Sequence, residues 1–353
     1  MNDMNFLQKN NIHLISDLGD ISKAIIEADY SQVYVLMDEN TNQHCLPLLQ
    51  DALVDYEVYF FFLEVSSGEA SKDLSTCASL WESLSEDNAD RKTLLLNLGG
   101  GMITDLGAFV ASLYKRGIPF YNIPTSLLGM VDAAIGGKCG IDFGGFKNQI
   151  GIFHNAEQTF LYPHFLKTLP ELEFWSGMAE MYKHALISDS THWSALKVFD
   201  RVEVTSNLIE HSAALKAEIV ANDPCEKGER KKLNFGHTIG HAVESYFLQK
   251  EKPMPHGYAV ALGMICEAHI SVQQNLLNLV EYDEIEDYLK TKYEFPTIPE
   301  KDFSILLEFM QQDKKNEYGT INFTLINAIG SAVINQSAIE NQIIASLKYL
   351  FDE

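Results

Sequence analysis

The segment NFGHTIGHA (234–242) sets His237 and His241 four residues apart, so in a helix the two imidazoles share a face. Such a pair can hold a divalent ion, move a proton, divide those tasks, or simply pack. Metal binding needs further donors, and two stand on segments of helical character: His256, which opens HGYAVALG, and Glu180 in GMAEMYKHALI. One Glu with two His leaves open positions on zinc, the coordination of a catalytic ion. His184 rivals Glu180 because it lies four residues further along the same helical face, and spacing does not choose between them. With three histidines on offer, one imidazole is spare for proton transfer.

The run LKAEIVANDPCEKGERKKLNFGH brings Lys216, Glu226, Arg230 and Asn234 up to this pair, and Lys183 follows Glu180 by three residues. If the helix starts early enough, Arg230, Asn234, His237 and His241 form one polar stripe. The plain reading is a solvated face. A cation, an amide and two imidazoles together are also what holds a phosphorylated substrate beside a metal. His269 sits in an apolar run and reads as packing, and His13, His44, His154, His164, His192 and His211 have no evident partners.

A second kind of chemistry is suggested by TLLLNLGGGMITDLGAF, in which Gly99, Gly100 and Gly101 link an apolar strand to a helix. Backbone amides at such a helix start can approach a pyrophosphate, although the spacing is not GxGxxG and a tight turn needs glycine in any case. The run QVYVLMDEN ends in Asp38 and Asn40, which suit ribose hydroxyls, and FFFLEVSSGEASK ends in a small-residue turn with Glu69 and Lys72. The glycine-rich segment 131–151 carries Asp132, Lys138, Lys147 and Asn148 and reads as a loop that wraps an anionic ligand.

The elements that must position these residues change character along the chain. Short apolar runs at 32–38, 57–65, 93–98, 118–124 and 158–162 read as strands, with crossover helices such as 103–116 between them, giving a mostly parallel sheet. After Pro170 long helical segments dominate, and 319–334 reads as a small hairpin. The expected organisation is an α/β nucleotide-binding domain over 1–168 and a mainly α-helical domain over 169–353.

At 353 residues the chain exceeds what one core usually organises. Forty-nine acidic against 26 basic residues give a net charge of −23, which argues against nucleic acid as a partner while leaving room for a small anion in a local cluster of Lys and Arg. Five cysteines without CxxC spacing suggest neither disulfides nor a cysteine metal site, and fit a reducing cytoplasm. The opening residues lack a basic region followed by an apolar run, and no apolar stretch is long enough to span a membrane, so neither export nor a membrane is expected.

Taken in order, GEASK, GGGMITDLGAFVASLYKRGIPFYNIPTSLL, VDAAIGGKCGID, KNQIG, TLPELEFWSGMAEMYKHALI, LKAEIVANDPCEKGERKKLNFGHTIGHA, HGYAVALGM and DKKNEYG resemble the 3-dehydroquinate synthases within the sugar phosphate cyclase family. The resemblance runs from about residue 30 to residue 330. It implies a Rossmann-like NAD-binding domain, a helical domain holding one zinc or cobalt ion, and a homodimer acting in the shikimate pathway of aromatic amino acid biosynthesis. The substrate it implies is 3-deoxy-D-arabino-heptulosonate 7-phosphate, converted to 3-dehydroquinate by transient oxidation, β-elimination of phosphate, re-reduction and aldol closure. That would make the enzyme a carbon–oxygen lyase dependent on NAD and a divalent metal, with NAD returned unchanged.

Carried onto matching positions, the resemblance assigns Glu180, His237 and His256 to the metal and His241 to proton transfer. NAD would meet Asp38, Asn40, Glu69, Lys72, Gly100, Gly101, Asp105, Thr125, Ser126, Lys147, Phe165 and Thr168. Substrate would meet Asp132, Lys138, Asn148, Lys183, Lys216, Arg230 and Asn234, with Arg116 reaching in from a neighbouring subunit, Glu226 handling protons, and Lys314 or Lys315 on the phosphate. The chain departs from the family pattern at Ser126, where a second threonine is usual, at Tyr162 and Pro163, and in a longer loop at EKPMP. Other readings are a cyclase for a different sugar phosphate, a metal-dependent polyol dehydrogenase, and a binding-only relative.

Overall fold

Strands rich in Leu, Val, Phe and Tyr need both faces covered, and the computed structural model supplies that cover. It describes residues 6–53, 60–144, 146–198, 206–312 and 321–351. The chain divides into two compact units, Met1–Pro170 and Glu171–Glu353.

In the first unit six parallel strands form one sheet: β1 (Ile12–Leu14), β2 (Val33–Asp38), β3 (Phe60–Val65), β4 (Leu94–Gly99), β5 (Phe120–Pro124) and β8 (Gln158–Leu161). Their spatial order is β1-β8-β5-β4-β2-β3. From β2 the chain steps outward to β3 and returns to β4 on the other side, then continues to β5 and β8. The sheet therefore reverses its winding between β2 and β4, where open α/β sheets bind ligands at the carboxyl ends of their strands. Strands β4 and β5 are buried throughout, as continuous apolar runs require. All five expected strands form, and β1, only three residues long, is the edge strand that periodicity does not reveal.

The expected helix at 103–116 is Gly101–Leu113, and it stops where Lys115 and Arg116 take positive φ values of 49° and 71°. The glycine-rich segment 131–151 corrects the reading of it as a wrapping loop. It contains an antiparallel ribbon, β6 (Lys138–Phe143) against β7 (Phe146–Phe153). Gly140 and Gly151 face each other there, and a Cβ on either would lie 2.7 or 2.6 Å from a carbonyl oxygen of the opposite strand, so these two glycines serve strand pairing.

The second unit is mainly helical, with the hairpin β9 (Asn322–Ala328) and β10 (Ser331–Ser337) turning through Gly330 at φ 90°. Its central helix, Glu171–Ser188, is buried on all sides between Phe174 and Ile187 apart from Trp175, which accounts for its weak amphipathic period. All five cysteines are free thiols. Among the described residues no helix is long and apolar enough to cross a membrane.

Candidate functional site

Three helices of the second unit carry the candidate metal donors: Glu171–Ser188 carries Glu180, His237–Gln249 begins with His237, and His256–Gln273 begins with His256. Glycines let these helices approach. A Cβ on Gly263 would lie 1.9 Å from the Gly236 carbonyl oxygen, and one on Gly240 would lie 2.9 Å from that of Ala259. Gly257 is pressed as closely on Ser176, whose hydroxyl accepts the Gly257 N–H at 2.9 Å. The two histidine-bearing helix starts are thereby held against one another and against the Glu180 helix.

The donors converge. One ligand atom each from Glu180, His237 and His256 fall within 4.8 Å of one another. His237 Nε2 and His256 Nε2 lie 3.6 and 3.4 Å from Glu180 Oε1, and Glu180 is fully buried. In each ring the other nitrogen is occupied: His237 Nδ1 lies 3.1 Å from the Phe235 carbonyl oxygen and His256 Nδ1 lies 3.3 Å from Glu244 Oε2. This fixes tautomers with Nε2 directed inward, the second-layer arrangement that metal-binding histidines use. The donor set, one carboxylate and two imidazoles, fits zinc or cobalt.

Electrostatics agree with that fit. Burial, with Lys183 adding to it, drives the His237 imidazole well below its ordinary pKa and so keeps its lone pair available. Burial works on His256 in the same direction, but hydrogen bonds to Glu180 and Glu244 outweigh it and raise that imidazole to about 10. A proton on His256 thus bridges to Glu180 where a dication would replace it. His241 stands beside them, its ring 5.2 Å from that of His237 and 5.8 Å from that of His256. His241 and Glu244 also form a donor group with His256. In that group His256 Nδ1 faces Glu244, whereas Nε2 faces Glu180.

Neighbouring candidates fall on the same unit. Lys183 is buried and ion-paired with Glu180 one helical turn before it. The rival His184 turns Nδ1 to the Ser212 hydroxyl at 2.9 Å, packing against the helix Ser206–Asn222, which also carries the buried Lys216. The polar stripe expected from Arg230 to His241 is not one helix face. Residues Glu229–Asn234 form a 3-10 helix, Phe235 is extended, and Gly236 at φ 78° resets the chain before a new helix begins at His237. Arg230 is buried and donates Nη1–H to the Pro224 carbonyl at 2.7 Å, while Asn234 donates to Glu226 Oε1 at 2.9 Å. Lys314 and Lys315 lie outside the described residues.

The first unit holds the candidate nucleotide residues. Gly100 caps the helix Gly101–Leu113 without a side chain, and a Cβ added to it would lie 3.2 Å from the Ser126 hydroxyl. One added to Gly101 would lie 3.0 Å from Ala133. The cradle at the end of β4 is therefore as narrow as a backbone-only approach to pyrophosphate demands, which fits NAD. Thr125 and Ser126 line its other side, with Thr125 N–H donating to the Gly99 carbonyl at 3.0 Å. At the end of β2, Asp38 Oδ1 accepts the Thr41 N–H at 2.8 Å and caps the next helix, which carries an exposed Asn40.

Lys72 is almost fully buried, and its ammonium donates to Asp105 Oδ2 and Asn148 Oδ1, each at 2.6 Å, with Glu69 3.7 Å away. Burial would lower its pKa, but Asp105 and Glu69 outweigh that and raise it. Asn148, expected on substrate, is thus brought to the expected NAD residues by Lys72. Lys138 and Lys147 are exposed on the ribbon, and Asp132 lies on a single π turn, Gly129–Ala133. Phe165 is buried against Tyr162, Thr168 is exposed, and Arg116 is exposed after the 101–113 helix.

Four shaping carboxylates escape sequence reading. Glu244 holds His256, Glu267 receives backbone N–H groups of the chain before and after His237, and Glu39 accepts the Ser67 N–H and hydroxyl. Asp223 folds the turn before Arg230 by accepting the N–H groups of Lys227, Gly228 and Arg230. Only Asp223 carries a local signal, an NDP turn sequence.

Two family models match in tandem: 3-dehydroquinate synthase N-terminal over residues 62–176, and 3-dehydroquinate synthase C-terminal over 177–316. A 3-dehydroquinate synthase of Parabacteroides distasonis is 40% identical over 340 residues, covering 95% of each chain. Among solved structures, a 2-epi-5-epi-valiolone synthase from Streptomyces hygroscopicus with NAD+ and Zn2+ bound superposes with a TM-score of 0.85 at 24% identity, over 100% of this chain and 98% of that one. A 2-deoxy-scyllo-inosose synthase complexed with carbaglucose-6-phosphate, NAD+ and Co2+ gives 0.81 at 21% identity over 96% of each chain. Those two likenesses concern the fold.

Proposed function

From the chain's membership of the 3-dehydroquinate synthase family, we infer that it forms 3-dehydroquinate and inorganic phosphate from 3-deoxy-D-arabino-heptulosonate 7-phosphate. The observation that carries the reading is the meeting of Glu180, His237 and His256 in a chain matched by both family models. NAD, when bound, would supply reversible hydride acceptance, so that a redox cofactor would serve a reaction without net oxidation. A zinc or cobalt ion, when bound, lowers the pKa of substrate hydroxyls and polarises a carbonyl.

In this reading the chain's own residues bind, orient and move protons. Glu180 and the two Nε2 atoms of His237 and His256 hold the ion. His241 is placed beside them to take and return a proton. Lys183, Lys216, Arg230 and Asn234 supply cations and an amide for the phosphate and carboxylate, and Glu226 orients Asn234. Gly100 and Gly101 admit the pyrophosphate of NAD, Asp38 offers its second oxygen to a ribose, and Lys72 orders Asp105 and Asn148 around the cofactor. The reading makes the chain a phosphate-eliminating lyase that acts as a homodimer in the cytoplasm, with Arg116 reaching the neighbouring subunit's substrate.

The test is an assay of inorganic phosphate release with and without chelator, followed in parallel at the NADH absorbance band. The expected result is chelator-sensitive phosphate release without steady NADH growth. NADH growth without phosphate release would make the chain a polyol dehydrogenase, and faster turnover of glucose 6-phosphate or sedoheptulose 7-phosphate would make it a different cyclase.

A further inference from the structure

Glu267 is a fully buried carboxylate on the helix His256–Gln273, and both its oxygens are committed to the other histidine-bearing helix. Oε2 accepts the Gly236 N–H at 2.7 Å and Oε1 accepts the Ile239 N–H at 3.0 Å. These flank His237. The first N–H groups of a helix have no partner within it, and the residue before the helix usually supplies a side-chain oxygen to one of them. Gly236 has no side chain, and with its left-handed φ of 78° an added Cβ would lie 2.5 Å from Met264 Cγ and 2.8 Å from the Val260 carbonyl oxygen, which leaves no room for one. The cap comes instead from 31 residues away, on the neighbouring helix.

Glu244 makes the converse connection. It lies on the helix that begins with His237, and its Oε2 faces His256 Nδ1 on the other helix at 3.3 Å. Each helix therefore contributes one imidazole to the ion and one carboxylate that fixes the partner helix's imidazole. We propose that Glu244 and Glu267 are positioning residues that cross-brace the metal centre: Glu244 sets the ring of His256 directly, and Glu267 sets His237 by clamping the backbone that carries it. The main-chain clamp reaches the ring because Phe235, whose carbonyl faces His237 Nδ1, immediately precedes the clamped Gly236. A carboxylate is suited to the task since negative charge is favoured at a helix start, where several N–H dipoles point the same way.

The proposal rests on the reading of Glu180, His237 and His256 as the metal ligands, and its test separates the two. Full-length wild type, Glu267→Gln, Glu244→Gln, Glu244→Ala and His237→Ala are titrated with Co2+ alone, reading the dissociation constant and the visible absorption of the bound ion. Thermal unfolding of the metal-free chains is measured alongside. Wild type binds one Co2+ and His237→Ala does not. Glu267→Gln turns an amide donor towards N–H groups, so it weakens Co2+ binding by roughly 10- to 100-fold and shifts the absorption bands. Glu244→Gln, which keeps an acceptor for Nδ1–H, loses less than Glu244→Ala.

A Glu267→Gln chain that unfolds at lower temperature yet binds Co2+ with wild-type affinity and bands makes Glu267 merely structural and overturns the proposal. So does equal behaviour of Glu244→Ala and wild type. Should Glu267→Gln not fold, the ordering of the two Glu244 variants decides by the same readout. Wild type that binds no Co2+, or His237→Ala that binds it as tightly, removes the metal reading and this proposal together.

Discussion

His237 stands with Nε2 3.6 Å from Glu180 Oε1 while its opposite nitrogen faces the Phe235 carbonyl oxygen at 3.1 Å. The ring is thus oriented by main chain on one side and turns Nε2 towards a carboxylate from another helix on the other. His241, one turn further on, shares a donor group with Glu244 and His256 instead, and the first prediction turns on the difference. His256→Ala is expected to abolish metal retention and activity, whereas His241→Asn keeps the metal and loses activity by about 100-fold or more, the usual worth of a positioned proton carrier. Metal analysis of the purified variants, set beside their turnover, checks this; equal metal loss in both would reverse the assignment.

Lys72 is the next test. Its ammonium joins Asp105 and Asn148 at 2.6 Å each, so Lys72→Met leaves the partly buried Asp105 carboxylate facing an apolar chain. Leaving a charge beside an apolar replacement is strongly unfavourable. NAD affinity, read by quenching of protein fluorescence, should fall at least about tenfold, since 1.4 kcal/mol of lost order suffices for that. Unchanged affinity would reduce Lys72 to a brace of the ribbon.

Gly263→Ala addresses the helix contact. The added methyl would fall 1.9 Å from the Gly236 carbonyl oxygen, backbone that cannot swing aside. The helices have to separate, at a cost of roughly 1–3 kcal/mol, the typical price of overpacking. Urea unfolding should report that loss together with weaker metal binding. A variant as stable as wild type would show that the helices slide freely.

A histidine away from the metal gives a pH prediction. Burial, with the rings of His211 and His184 adding to it, lowers His192 to about 4, and the His211 ring lies 4.6 Å away. The folded value lies below the ordinary 6.5, so the unfolded chain binds the proton first. The stability that neutral His192 provides is complete above about pH 6.5 and drains away as pH falls towards 4, by the order of 3 kcal/mol. His192→Leu should flatten that part of the profile in urea unfolding at pH 7, 6 and 5. A profile of the same slope in the variant would assign the loss to other groups.

Much of this was legible in the sequence, and the remainder was illegible for physical reasons. Short apolar runs gave the five principal strands, because a parallel sheet covered on both faces needs them apolar throughout. His237 and His241 were readable as one face because both lie inside one helix. Arg230 and Asn234 were not, since Gly236 breaks the period between them and His237; the glycine in NFGHTIGHA was the available warning. The ribbon of 138–153 was hidden because its glycines serve strand contact rather than a turn. Glu267 was invisible because its partners lie 28 and 31 residues back, and a cap donated between helices has no fixed spacing.

The Lys72 contacts also bear on how the first unit folds. One ammonium ties together positions separated by 33 and by 76 residues, so this corner exists only after two long loops have closed. Contacts so distant along the chain form slowly compared with local ones. The Lys72 corner is therefore expected to ripen after neighbouring β4 and β5 have paired, and amide protection there should lag that of β4 and β5 in pulse-labelled refolding.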